Sequence, residues 1–258
     1  MGKKGIVMAT FCMKAAGVVV SVCCLFDSTR EYCREYLCQG EPEMDVVLSE
    51  EDIALEREKS AREDALEGIP VREFSDEYLE TLALLRKVTE ALFDFDAVLF
   101  HGSVIAVDDK AYLFTAKSGT GKSTHTRLWR EYLGDRAVMV NDDKPFLKVT
   151  PKRILACGNS WNGKHGLGTD IRVPLKAICI LERGEENHIR RIHPKDAVHM
   201  LLQQSSRPAD MGKLEKYLDL IDAIAHKVEF YRLRCNMDQE AARVSYEVMS
   251  GKSKDWEI

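Results

Sequence analysis

The chain has 258 residues, 45% of them apolar and 31% charged, with a formal net charge of −5 at pH 7. That is enough apolar material for one large core, or a main domain with a small module. The slight acidity gives no reason to expect nucleic acid or an anionic membrane as partner. Eight cysteines without a C-x-x-C spacing show no zinc or thioredoxin-like motif, and they suit a reducing, cytoplasmic setting.

Lys3 and Lys4 precede an apolar stretch reaching Phe26, a pattern shared with secretory leaders. Lys14 interrupts it, and the run from Ala15 onward falls short of the about 20 apolar residues a membrane span requires. Val18-Val19-Val20-Ser21-Val22 is largely β-branched, so Phe11 to Leu25 reads as a buried strand. A short polar helix is expected over Ser28 to Leu37 and a second strand over Met44 to Leu48. Ser49, with Asp52 three residues on, predicts a capping box. The Glu/Arg/Ala-rich segment Glu50 to Glu67 then reads as an exposed, fraying helix or connector, broken at Gly68-Ile69-Pro70. Ser75 caps the next helix, whose apolar stripe runs through Leu79, Leu82, Leu85, Val88 and Leu92.

The character changes at Ala97. Strands are expected at Ala97 to His101 and Ser103 to Val107, then a hairpin turn at Asp108-Asp109-Lys110 and a returning strand at Ala111 to Thr115. The loop Ala116-Lys117-Ser118-Gly119-Thr120-Gly121-Lys122-Ser123 follows directly, and Ser123 to Tyr132 reads as a helix ended by Gly134. Ala137 to Val140 and Phe146 to Val149 read as strands, and residues 150 to 170 as loop. Leu175 to Leu181 is apolar enough for a central strand. Pro194 opens a helix to Gln204, Asp210 to Lys227 is a second, Val228 to Leu233 a strand, and Asp238 caps a last helix to Met249.

The strand-loop-helix context is what a phosphate-binding loop needs. Gly119 and Gly121 allow the backbone to curl so that successive N–H groups converge on phosphate oxygens, and the following helix adds its positive end. Ser118, Gly119, Thr120, Gly121, Lys122, Ser123 and Thr124 are therefore candidate nucleotide contacts, with Lys122 reaching the β- and γ-phosphates and Ser123 placed for Mg²⁺. The partner implied is a nucleoside triphosphate, ATP with Mg²⁺. Ala116 stands where the usual pattern begins with glycine. Asp142 and Asp143 end a buried strand; successive side chains alternate there, so one carboxylate can face a metal while the other takes a hydroxyl proton. The competing reading of that pair is a turn held by Asx hydrogen bonds.

His101-Gly102-Ser103, the β-hairpin, the Ser-Gly-Thr-Gly-Lys-Ser loop and the later Asp-Asp pair together resemble the HPr kinase/phosphorylase family, related in its core to ATP-utilising phosphoenolpyruvate carboxykinases. The resemblance is strongest over about 50 residues from His101 to Lys144. It implies Lys122 on phosphate, Ser123 and Asp143 on Mg²⁺, Asp142 as base, and His101 near the reacting groups. It also implies an α/β chain: a mixed, curved sheet carrying the loop and flanked by helices over residues 96–258, preceded by a small α+β module with a helical connector over 1–95. The family's loop for the HPr protein has no counterpart; Trp161, Lys164 and His165 occupy that region. The chain thus looks more like short relatives that phosphorylate free serine or a peptide.

Three functions follow for test. The first is a kinase acting on a serine-like hydroxyl of a small molecule, peptide or small protein. The second is phosphoenolpyruvate carboxykinase-like chemistry, disfavoured by the short chain. The third is a nucleotide sensor without turnover. Lys164 and His165 are candidate lid or substrate-contact residues, Arg172, Arg183 and Arg207 candidate phosphate partners, and Arg127 a candidate for the substrate or adenine side. Trp129 and Trp161 are candidates for flanking a base, though helical spacing from His125 favours packing for Trp129. The acceptor, the base preference and the oligomeric state stay open; a homo-oligomer is compatible with the sequence.

Overall fold

A computed structural model describes residues 9–117 and 119–252. The chain divides into two compact units, Met1–Ala91 and Leu92–Ile258.

In the first unit, β1 (Ala9–Ala15) and β2 (Val18–Cys24) pair antiparallel, and β3 (Met44–Val47) pairs parallel to β2. The single strand expected over Phe11 to Leu25 is therefore a hairpin. Ala16 and Gly17 both take positive φ (50° and 84°), the two-residue turn that matches strand twist. Apolar residues continue on both sides of Ala16-Gly17 and hide the reversal. Phe11, Met13, Ala15, Val18, Val20 and Val22 face inward. The expected polar helix is shorter, α1 (Asp27–Tyr32) followed by a 3-10 turn.

Helix α2 (Glu50–Glu67) starts at the expected capping box between Ser49 and Asp52 and stops at Gly68 in the left-handed region. It is not a fraying connector. Its Asp52, Ile53, Glu56 and Asp64 are buried. Arg86 of α3 (Asp76–Leu92) binds both Asp52, at 2.8 Å, and Glu56. Arg72 donates to Asp64 through its backbone N–H and its guanidinium, at 2.6–3.0 Å. Anchoring by paired charges leaves no apolar stripe to read, which is why periodicity missed it. Buried Glu80 of α3 accepts from the N–H groups of Leu25 and Phe26 and from the Thr29 hydroxyl, tying β2 and α1 to α3.

The second unit is a curled mixed sheet flanked by helices. One path runs β4 (Ala97–Leu99), β8 (Phe146–Val149), β9 (Ile154–Cys157), β10 (Arg172–Arg183), β6 (Lys110–Thr115), β5 (Ser103–Val107), β7 (Ala137–Asn141). β12 (Glu229–Cys235) pairs parallel to β10 and carries β11 (His188–Ile192) at its other side. The twelve-residue β10 makes the curl possible: Arg172 to Pro174 pair with β9, while the later residues lie between β6 and β12. β9 and β11 were not expected. Each is short, and β11 has only Ile189 and Ile192 buried, too sparse a pattern for a strand signal.

Helices α4 (Lys122–Leu133) and α7 (Gln239–Ser250) share one apolar cluster with β5, β6 and β10, while α5 (Pro194–Gln204) and α6 (Leu214–Lys227) share another. Asp238 stands at the start of α7 as expected, but its side chain makes no cap bond and instead accepts from Asn236 Nδ2. Among the described residues no helix is long and apolar enough to cross a membrane.

Candidate functional site

Strands β6 and β7 are both antiparallel to β5, so they run parallel to each other and end on the same edge. Ser103 faces Phe114 near the end of β6, and the next residue, Val104, faces Asn141 at the end of β7. That register brings the loop after Thr115 and the acid pair after Asn141 to one edge, though about 20 residues separate them.

The loop turns where expected. Gly119 and Gly121 have φ of 75° and 118°, a region side chains other than glycine avoid. Gly121 is the N-terminal residue outside α4, and Lys122 and Ser123 form its first turn, where backbone N–H groups have no helical partner. The Thr120 N–H and hydroxyl both donate to the Lys117 carbonyl, at 3.2 and 2.7 Å. Ser118 lies outside the described residues. Ala116 is fully buried in the apolar cluster behind the loop. Burial pushes the Lys122 ammonium below its usual value, while the neighbouring Asp143 carboxylate pulls it back up.

The acid pair sits in a network that sequence reasoning did not resolve. Asn141 is fully buried, and its Oδ1 accepts the N–H groups of Asp143 at 2.9 Å and Lys144 at 2.6 Å. Its Nδ2 donates to Asn162 Oδ1 at 3.0 Å and Asn159 Oδ1 at 3.2 Å. The Asx turn weighed against a chemical role is thus present, but Asn141 makes it and the two aspartates are left for other contacts. Ser103 Oγ donates to the Asp142 carbonyl at 2.7 Å, and Gly102 N–H to the Asp143 carbonyl at 2.9 Å.

Asp142 is 4% exposed. Its Oδ1 accepts from the Gly163 N–H; its Oδ2 is buried with no partner among the described residues. A Cβ at Gly163 would stand 3.2 Å from that oxygen, so glycine is what lets the 158–172 loop close over it. Asp143 Oδ1 lies 3.3 Å from His101 Nε2 and Oδ2 lies 3.5 Å from Lys144 Nζ. Burial alone would raise the Asp143 carboxyl, but His101 and Lys144 outweigh it and hold it below the usual range.

On the other flank of the loop is a cavity of about 460 Å³. Gly119 to Gly121, Thr124, His125 and Leu128 form one wall, and the ends of β10 and β12 with Asn236 and Met237 form the other. Arg183, at the end of β10, donates to the Gly119 carbonyl at 2.6 Å. Of the remaining candidates, Arg127 pairs with Glu131 at 2.6 Å on the exposed side of α4. Lys164, His165, Arg172 and Arg207 are exposed. Neither tryptophan flanks a base: Trp129 has the packing role its helical spacing favoured, and the alternative for Trp161 is corrected. Trp129 is fully buried against Phe114 and Tyr246, and Trp161 packs edge-on to Phe146.

The family model described as SynChlorMet cassette protein ScmC matches residues 71–245, well over half of the 258-residue chain. The chain belongs to this family. The ScmC match spans the loop, the acid pair, the 158–172 loop and the cavity. No curated protein matches the chain. Among solved structures, the Hpr(Ser) kinase/phosphatase from Coxiella burnetii is similar over 60% of this chain and 95% of its own, at 11% identity and a TM-score of 0.35. A likeness this slight decides neither fold nor activity for this chain.

Proposed function

We propose that this ScmC-family chain is a kinase that transfers the γ-phosphoryl group of ATP, with Mg²⁺, to a serine-like hydroxyl on a small molecule, peptide or small protein. The observation that carries the reading is the meeting of Lys122 and the Asp142/Asp143 pair at one sheet edge, beside unpaired helix N–H groups. Phosphoryl transfer asks mainly for positioning and charge neutralisation, and these groups supply both.

In this reading the loop N–H groups and Lys122 hold the phosphates. Asp142 Oδ2 is buried and unpartnered, so it is the oxygen able to take the proton of the attacking hydroxyl. The Gly163 N–H on Oδ1 fixes the direction of that carboxylate, and Asn141 holds the turn that follows it. Asp143, kept anionic by His101 and Lys144, and the Ser123 hydroxyl would hold Mg²⁺, whose charge neutralises the phosphates when it is bound. One carboxylate and one hydroxyl are a sufficient protein contribution, because Mg²⁺ ordinarily keeps waters and substrate phosphates as its other ligands.

The test is transfer from γ-labelled ATP by the wild type, Asp142→Asn and Asp143→Asn. Loss of about 100-fold or more in each variant is expected for a base and a metal ligand. Full transfer by both would sink the kinase reading.

A further inference from the structure

Strand β11 lies on the open side of β12 and pairs with no other strand among the described residues. One row of its backbone N–H and C=O groups therefore has no strand partner. Its charge is unlike that of the rest of the chain. Acidic residues outnumber basic ones overall, 42 against 37, yet the segment from His188 to Lys195 carries Arg190, Arg191, Lys195 and two histidines and no carboxylate.

The antiparallel register concentrates this charge. Arg190 faces Arg232 and His188 faces Arg234, all on the face that Ile192 and Phe230 share further along. Like charges set directly opposite one another destabilise a strand pair. Arg232 is compensated by Glu182 of β10, at 2.6 Å. Arg190, Arg191 and Arg234 are exposed and form no ion pair among the described residues. The Arg234 stem is held over Gly184, where a Cβ would collide with it. Arg191 points to the opposite face, across from Tyr231, so unpaired guanidinium groups flank the edge on both sides of the sheet.

Charged side chains guard an edge strand against addition of another copy of itself. A row of one sign does so only against its own kind: it repels a second β11 and attracts a strand of opposite sign. An added strand sends alternate side chains to the two faces, so acidic residues on it reach Arg190 on one face and Arg191 on the other. A nucleic acid would use the charge but not the unpaired backbone row. We propose that the β11 edge is the docking site for an extended acidic peptide segment of a partner protein, which adds as a strand and pairs its carboxylates with Arg190 and Arg191. This surface is separate from the phosphate loop and the acid pair, and the inference does not depend on the kinase reading.

The experiment is fluorescence anisotropy of the full chain with labelled probes: an acetylated octapeptide of glutamate and threonine, its lysine–threonine counterpart, the glutamate peptide fully N-methylated, and an oligothymidylate. The glutamate peptide should bind, more weakly as salt rises, and about tenfold or more tightly than either peptide control, because one control reverses the charge and the other cannot donate along the edge. The double variant Arg190→Glu, Arg191→Glu should lose about tenfold or more of that affinity with an unchanged melting temperature. Should that variant not fold, Arg190→Gln alone should still weaken the glutamate peptide and leave the lysine peptide as it was. No binding of the glutamate peptide, equal binding of the lysine or N-methylated peptide, or full affinity in folded charge variants would overturn the docking site. Tighter binding of the oligothymidylate than of the glutamate peptide would overturn it in favour of a nucleic-acid face.

Discussion

Asn141→Ala is the sharpest test of how the site is held. The side chain is fully buried; Oδ1 receives two N–H groups at 2.6 and 2.9 Å, and the two protons of Nδ2 are shared among the side-chain oxygens of Asn162 and Asn159, at 3.0 and 3.2 Å, and the backbone carbonyls of Trp161 and Asn159, at 3.3 and 3.4 Å. Alanine leaves the Asp143 and Lys144 N–H groups and the side-chain oxygens of Asn159 and Asn162 without this partner. At about 1 kcal/mol net for each bond, with partial rescue by water, the loss is about 2–4 kcal/mol. Trp129 and Trp161 lie buried in the second unit, and Trp161 is adjacent to this network through its carbonyl, 3.3 Å from Asn141 Nδ2. Urea unfolding followed by tryptophan fluorescence reads the change where it occurs. Phosphoryl transfer should fall as well, because the turn that aims both aspartates is lost. An unfolding free energy within about 0.5 kcal/mol of wild type, together with unchanged transfer, would refute the role given to Asn141.

Gly163→Ala places a methyl group 3.2 Å from Asp142 Oδ2 and 3.3 Å from Asp143 Cβ. Turnover should drop about tenfold through displacement of the acid pair, with circular dichroism unchanged; wild-type turnover would contradict the close approach. His125 is neutral in the fold down to about pH 3, whereas in the unfolded chain it takes a proton near pH 6.5. Its contribution is therefore complete above about pH 6.5 and fades as pH falls below it, by up to about 1.4 kcal/mol per pH unit. Urea titrations of His125→Leu should show a shallower decline between pH 6 and 4 than wild type, and parallel curves would contradict this. Asp143 acts in a lower window. Its folded value is depressed, so its contribution is present above about pH 4 and is lost as pH falls through the folded value. Asp143→Asn should flatten only that last acid limb, and an unaltered limb would count against its pairing with His101 and Lys144.

Much of the second unit was legible because its signals are local. Ser103–Val107 and Pro194–Gln204 fall where a β-branched run and a first-turn proline put them. The loop glycines carry the positive φ that their sequence context required. Other features depend on residues far apart in the chain. Asn141 reads as one more polar residue in Asn141-Asp142-Asp143 until the 158–172 loop folds back onto it, and only then do Asn159, Asn162 and Gly163 become its partners. The role of Gly163 has no local signal, since its φ is not in the left-handed region and its constraint is a neighbour 21 positions away. In the first unit, α2 is held by Arg72 and Arg86 against buried carboxylates, and hydrophobic patterning cannot register that. Trp129 takes the packing role that its helical spacing from His125 favoured, whereas Trp161 gave no local signal that it would pack on Phe146 rather than face a ligand.

The central claim is tested most directly by γ-labelled ATP and Mg²⁺ with wild type and Lys122→Ala, against free serine, serine-containing peptides and HPr protein as acceptors. Label should appear on one hydroxyl acceptor with wild type and disappear with Lys122→Ala, whose affinity for the triphosphate should be about 10- to 100-fold weaker once its charged hydrogen bond is gone. Wild type that binds ATP and transfers label to none of these would contradict the kinase account in favour of a sensor, and wild type that binds no nucleotide would contradict the assignment of the loop itself.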